Sequence, residues 1–391
     1  MAKSLASNAL TLLIVILIGF ASFLGWAQGQ YRGAGPLAQP ICFEVKQGAN
    51  LTRVSQDLAD RGVISSPQIF RIGARYSNRA DDLKFGSYLL PSGISMQNAL
   101  ATLTDGGPSS CGREMNFRIG VNAVDIVLRE LDPLTNEFKE VAKYDPASEA
   151  APAILADPAW NIDLRMRVTL AEGVTSWQVV QGLKAADFLD GDIADIPPEG
   201  SLAPDSYAVE VGTKRGDILA DMAARQEKTL AEAWAARAEG LPYATPYEAL
   251  IMASIVEKET GIAAERKQVA SVFLNRIAQG MKLQTDPTVI YGVTNGQGVL
   301  GRGLRRSELD RETPYNTYII DGMPPTPIAN PGRASIEAAL NPDSTDYLFF
   351  VADGTGGHAF ATTLRDHNKN VEAWRKIEAE MAKEAEEKAK E

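Results

Sequence analysis

Apolar positions along this chain follow three different patterns. From Ala9 to Trp26 the run ALTLLIVILIGFASFLGW has neither charge nor period. As a helix rising ~1.5 Å per residue it is about long enough to cross a ~30 Å hydrocarbon layer. It exceeds the roughly 7–15 apolar residues of a cleaved leader, and Trp26 suits a membrane interface. The pattern predicts a retained transmembrane anchor over 9–26 behind a short tail, 1–8, with a cleaved leader as the competing reading. Lys3 keeps the tail in the cytoplasm, so the rest of the chain is expected outside.

The second pattern recurs. Gly48, Gly93 and Gly173 are each followed two residues on by Asn50, Ser95 or Thr175, all N-cap types. Apolar residues then fall four apart: Val54 and Leu58, Ala99 and Leu103, Val179 and Leu183. One turn and helix is thus predicted in three places, too irregularly spaced for a solenoid. The first copy sits in CFEVKQGANLTRVSQDLADRGVI, a strand, turn and helix, with a further helix in SPQIFRIGARYS. That unit resembles a LysM-type module, which implies either glycan binding or a plain spacer.

In the third pattern the period disappears. Leu250, Ile251, Met252, Ala253, Ile255 and Val256 cover most of the helix predicted from Pro246, and a helix apolar all round is a buried one. Thr245, Pro246 and Glu248 supply a cap, a proline at the first position and a capping-box acid, and Gly261 a left-handed end. A second helix follows with Val269, Val272, Phe273 and Ile277 on one face, and Asp286-Pro287 opens a third. YLFFVADGTGGHAFATT reads as a hairpin with His358 just past its glycine turn.

The fold class expected is α+β: a single N-terminal transmembrane helix, a LysM-like α+β module, then a mixed α/β catalytic domain. The divisions are a tail (1–8), anchor (9–26), linker (27–40), LysM-like module (41–111) and an insert of unknown role with a long loop (112–166). A second LysM-like connecting subdomain (167–245), the catalytic core (246–371) and a charged C-terminal helix (372–391) complete the chain.

Charge and composition then remove function classes. The net charge of -11 disfavours nucleic acid. With only 2 His, His358 and His367, and 2 Cys, a zinc amidase is disfavoured, and no metal or cofactor is expected. Beyond an anchor, Cys42 and Cys111 meet an oxidising compartment. A disulfide closing about 70 residues stabilises by ~4 kcal/mol in the chain-entropy model; two buried thiols are the alternative.

The buried helix ends in Glu257 and Glu259, which at about 100° per residue point about 160° apart. They cannot flank one bond at the about 5–5.5 or 6.5–9.5 Å that standard glycosidases need. Glu257 shares the small-residue side with Ala253 and Ser254, and Glu259 the bulkier side with Met252 and Ile255. A carboxyl beside an apolar wall keeps its proton closer to neutrality; solvating the helix end or pairing with Arg266 is the bland alternative. Asn275, Gln284, Thr285, Tyr291, Asn316, Tyr318 and His358 add amides, hydroxyls and rings of the kind a sugar cleft uses.

In order, EGSLAPDSY, ASIVEKETG, VASVFLNRI, GMKLQTDPTVIYG, TPYNTY, GMPPTPIANPG, FVADGTGGHAF and HNKNV resemble the YceG family of endolytic murein transglycosylases. The resemblance covers the anchor, the module and about 167–371; the 112–166 insert departs from the family's compact pattern. It implies that Glu257 is catalytic. Glu257 gives a proton to the oxygen between N-acetylmuramic acid and N-acetylglucosamine, then takes one from the muramic C6 hydroxyl as a 1,6-anhydro ring closes. Glu259, Asn275, Gln284, Thr285, Tyr291, Asn316, Tyr318 and His358 are then candidates for binding or assisting. The implied setting is the inner membrane with the catalytic region periplasmic. Implied partners are nascent peptidoglycan strands and penicillin-binding synthases. The rivals are a hydrolase using Asp286 or Asp205 as a second carboxylate, and a non-catalytic glycan-binding scaffold.

Overall fold

The computed structural model describes residues 2–46, 48–105, 111–157, 160 and 164–388, with backbone alone at 2–9, 385, 386 and 388. Parts of the 112–166 insert and the last three residues of the charged tail lie outside the described residues. The chain divides into two compact units, 1–115 with 127–143 and 151–165, and 116–126 with 144–150 and 166–391.

Helix α1 (Ala2–Arg32) opens the first unit, and its apolar length from Leu10 fits a single-pass membrane anchor. It runs past Trp26, so the segment read as a linker begins as helix: nothing before Gly33 breaks it. The chain then passes where no side chain fits, since a Cβ on Gly35 would fall 2.2 Å from the Ile94 carbonyl oxygen. β1 (Ile41–Val45), α2 (Leu51–Asp60), α3 (Pro67–Tyr76), β2 (Gly86–Leu90) and α4 (Met96–Thr104) follow. β1 and β2 pair antiparallel with Phe43 opposite Tyr88. Val54, Leu58, Phe70, Ala99 and Leu103 bury the helices' apolar faces in the same cluster as Phe43 and Tyr88. Cys42 and Cys111 form a disulfide with their Cα atoms 5.6 Å apart.

The recurring turn and helix is present at all three sites. Gly48, Gly93 and Gly173 take φ of 74°, 68° and 77°, where a side chain is strained. Asn50, Ser95 and Thr175 each cap a helix by accepting the N–H three residues on. In every copy the apolar pair four apart is buried.

Residues 112–166 are richer in strand than the loop reading anticipated. They hold β3 (Arg113–Ile119), β4 (Val124–Asp132), β5 (Glu137–Tyr144) and the start of β6 (Leu164–Leu170). The Ala/Pro-rich composition that suggested a loop belongs to the β5–β6 connection and its 3-10 turn at Ala153–Ala156. After α5 (Ser176–Ala185) comes β7 (Ser206–Val209), and the strand order is β5-β4-β3-β6-β7.

The remainder of the second unit is mainly helical. α6 (Arg215–Ala235), α7 (Pro246–Glu259), α8 (Arg266–Ala278), α9 (Asp286–Thr294), the short α10 (Arg306–Leu309) and α11 (Arg333–Leu340) lead to the hairpin β8 (Phe349–Ala352)–β9 (His358–Ala361) and α12 (Leu364–Lys388). α7 is central, buried at every residue from Ala249 to Val256 and packed on α6, α8 and α11. Thr245 caps it as predicted, but Glu248 closes the turn on the N–H of Ala244 at 2.6 Å, not on the cap's own. Gly261 is not the left-handed cap expected. Thr260 ends the helix in extended backbone and its hydroxyl accepts the N–H of Ile262, so a side chain makes the turn that glycine was assigned.

Candidate active site

The two glutamates at the end of α7 leave the helix toward different neighbours. Glu257 Oε2 accepts the N–H of Gly332 at 2.9 Å. The small residues beside it do not leave an open cleft, as the helix wheel suggested. Ser254 is fully buried and its hydroxyl accepts the N–H of Ile328 at 3.0 Å, so the segment 328–332 fills that side of α7 and brings Gly332 to Glu257. Between them Lys258 reaches the Gly173 carbonyl at 3.3 Å, and burial pulls its amine below the usual lysine range. A cleft of about 290 Å³ opens beside Lys258, lined among others by Thr175, Ile290, Tyr291, Val299 and Arg302.

Glu259 accepts the hydroxyl of Thr285. Burial pushes its carboxyl up to about 7, with the charge of Asp286 adding and Thr285 and His358 opposing. Unfolded, such a group titrates near 4.5. Between the two values the folded chain holds the extra proton, so this contribution to stability is full below about 4.5 and is lost as pH rises through 7. Glu259→Gln keeps the oxygen that Thr285 needs and removes the titration. Relative to wild type it is expected to gain up to about 3 kcal/mol between pH 4.5 and 8. Thermal melts of both proteins across that range check this; parallel curves would refute it.

The other sequence candidates divide by what they touch. Tyr291 donates to Glu199 at 3.1 Å, and the second oxygen of Glu199 takes the first N–H of α5, from Ser176, at 2.8 Å. Burial raises the Glu199 carboxyl first of all. Gln284 is held at φ 52° and takes an N–H of the buried Arg276 at 3.3 Å. Tyr318 donates to Asp286 at 2.7 Å. His358 Nδ1 lies 2.7 Å from Glu265. Asn275 and Asn316 give their amide hydrogens to backbone carbonyls, Asn275 to Thr345 and Tyr347, and Asn316 to Glu308, Leu309 and Arg311. Thr285, Tyr318 and His358 therefore gather on the Glu259 side, whereas Asn275 and Asn316 organise loops. Of the rival second carboxylates, Asp286 is on the Glu259 side and Asp205 is in an exposed pair with Arg225 at 2.8 Å. Arg266 pairs with neither α7 glutamate but with Glu172, at 3.5 Å.

Two residues went unremarked in the sequence, Glu172 and Asn330. Fully buried Asn330 donates its amide to the Val174 carbonyl at 2.9 Å and accepts the N–H of Leu202 at 2.9 Å. Its backbone also bonds both ways across the same turn, to Val174 and from Gly173. It thus ties the turn after Glu172 to the strand of loop that carries Gly332. Asn330→Ala leaves Leu202 N–H buried without its partner, and is expected to cost about 2–4 kcal/mol by thermal or urea unfolding. The only advance signal was an asparagine before Pro-Gly.

The sequence matches the YceG-like family over residues 43–373. It is 30% identical over 335 residues to the endolytic murein transglycosylase of Bacillus subtilis (strain 168), covering 85% of this chain and 84% of that one. To the endolytic murein transglycosylase of Streptococcus pneumoniae serotype 2 (strain D39) it is 28% identical over 337 residues, 84% of this chain and 57% of that longer relative. A crystal structure of a YceG-like protein from Listeria monocytogenes aligns at 25% identity with a TM-score of 0.45, over 85% of this chain and 99% of that one. With the family match running from β1 into α12, this chain belongs to the YceG-like family.

Proposed function

We propose that the protein is an endolytic lytic transglycosylase that cuts peptidoglycan between N-acetylmuramic acid and N-acetylglucosamine and leaves 1,6-anhydro ends. The observation that carries this reading is the isolation of Glu257 from Glu259 at the end of a buried helix, on the side where Gly332 supplies an N–H. One carboxyl performs two transfers in turn. Protonated Glu257 donates to the glycosidic oxygen as its bond to C1 breaks. The carboxylate so formed accepts the C6 hydroxyl proton as O6 bonds to C1, which restores the acid without consuming water.

Tyr291, held by Glu199, and Thr285, Gln284, Tyr318 and His358 are assigned to sugar binding or to shaping the cleft. Glu259, Asn275 and Asn316 are assigned to holding the elements around it. The β1–α2–α3–β2 unit is read as a LysM-like module on the glycan side. α1 is read as an anchor that keeps the enzyme in the inner membrane with its catalytic part periplasmic, beside synthases that deliver nascent strands. Mass spectrometry of purified glycan strands after incubation with the enzyme tests the reaction. Internal cuts with anhydro ends are expected; reducing ends would mean hydrolysis, and uncut strands a binding scaffold.

A further inference from the structure

The second carboxyl that α7 could not supply arrives from a distant part of the chain. Glu172 stands in the turn between β6 and α5, immediately before Gly173. Gly332 locates both carboxyls at once. Its N–H meets Glu257 Oε2 at 2.9 Å, and a Cβ built on it would fall 1.8 Å from Glu172 Oε1. With N and Cβ of one residue about 2.5 Å apart by standard bond lengths, the two oxygens lie within about 7 Å of each other. Only a glycine leaves Glu172 the space it occupies.

Glu172 is also held and open at the same time. Arg266 Nη2 reaches its Oε2 at 3.5 Å, and the arginine side chain is 11% exposed against 45% for the glutamate. Burial, and after it the charge of Glu257, push the Glu172 carboxyl up, while Arg266 pulls it down.

We propose that Glu172 is a second carboxylate of the substrate site, set beside the sugar carbon from which the glycosidic oxygen departs, where it stabilises the positive charge that develops. The proposal rests on the transglycosylase reading above and adds a residue to it. As the C1–O bond breaks, its electron pair leaves on the oxygen, which takes the Glu257 proton. C1 is then electron-poor until O6 supplies a pair and passes its proton back to Glu257. Glu172 gains and loses no proton in this sequence; its charge acts on C1 throughout, with Arg266 fixing its direction. A fixed group of this kind contributes about 10²–10³ in kcat.

The test uses the full chain in detergent micelles on purified glycan strands, with rates, end groups by mass spectrometry and thermal midpoints measured together. Glu172→Gln is expected to lower kcat about 100-fold, with KM changed less than about threefold and anhydro ends retained. Glu172→Asp keeps the charge and is expected to recover part of the loss. Gly332→Ala keeps the carboxylate but drives it off its position, and is expected to resemble Glu172→Gln; with Glu172→Asp it decides the matter where Glu172→Gln is misfolded. A Glu172→Gln enzyme within about twofold of wild type overturns the proposal, as does a rise in KM alone or a loss that tracks the thermal midpoint in every variant. If wild type itself leaves no anhydro ends, the transglycosylase reading fails first. Reducing ends from wild type, lost in both Glu257→Gln and Glu172→Gln, would make Glu172 the base of a hydrolase and overturn the role given to it here.

Discussion

Glu257→Gln is expected to lower kcat about 10³–10⁴-fold while leaving the thermal midpoint and glycan affinity near their wild-type values. General acid–base catalysis by one group is worth about 10²–10⁴. Glu257 is assigned both transfers, which puts the loss at the upper end. No neighbour takes over: Glu259 points at Thr285, and Glu172 holds its place against Arg266. The fold does not depend on the charge, because the amide oxygen of glutamine still accepts the N–H of Gly332. Rates on purified strands, binding to the same strands and a thermal melt separate these quantities. A variant that keeps more than about a tenth of wild-type kcat would remove Glu257 from the chemistry, and a collapse of the midpoint would recast it as structural.

The local parts of this site were readable in one dimension. Thr245 and Pro246 marked where α7 begins, its unbroken apolar surface marked it as buried, and about 100° per residue separated Glu257 from Glu259. The three glycine turns with Asn50, Ser95 and Thr175 were readable for the same reason: cap, turn and apolar pair lie within a dozen residues. What escaped was whatever depended on distant segments meeting. Ala253 and Ser254 looked like room for a sugar, but Ile328 had a closer claim through one hydrogen bond. Asn275 and Asn316 have the chemistry of sugar ligands, yet nearby backbone carbonyls take their amides. Glu172 stands just before the recurring turn at Gly173, but that pattern says nothing of its side chain, whose neighbours Gly332 and Arg266 are both far along the chain. Composition read one stretch and passed over its surroundings: the Ala/Pro-rich segment near Pro152 does lie in the long β5–β6 connection, whereas β3, β4 and β5 ahead of it were not anticipated.

Replacing both Cys42 and Cys111 by serine is expected to destabilise the first unit by about 2–5 kcal/mol. The disulfide joins residues 69 apart in sequence, a loop long enough for the chain-entropy model to give about 4 kcal/mol. Its position makes the loss local. Cys42 sits in β1 opposite Leu89, and the N–H of Cys111 bonds to the carbonyl of Ser87 on β2 at 3.0 Å. The bridge therefore ties the end of the unit's two-stranded sheet to the chain that leaves it, and a sheet of two strands has little stability of its own. Hydrogen exchange should show β1 and β2 amides losing protection first, with the buried faces of α2 and α4 following because they close over those strands. Native protein treated with a thiol reductant should reproduce the pattern and reverse on reoxidation. Equal loss across the whole chain would mean that the two units unfold as one, and no loss would mean that Phe43, Leu58, Phe70 and Leu103 hold the unit without the bridge.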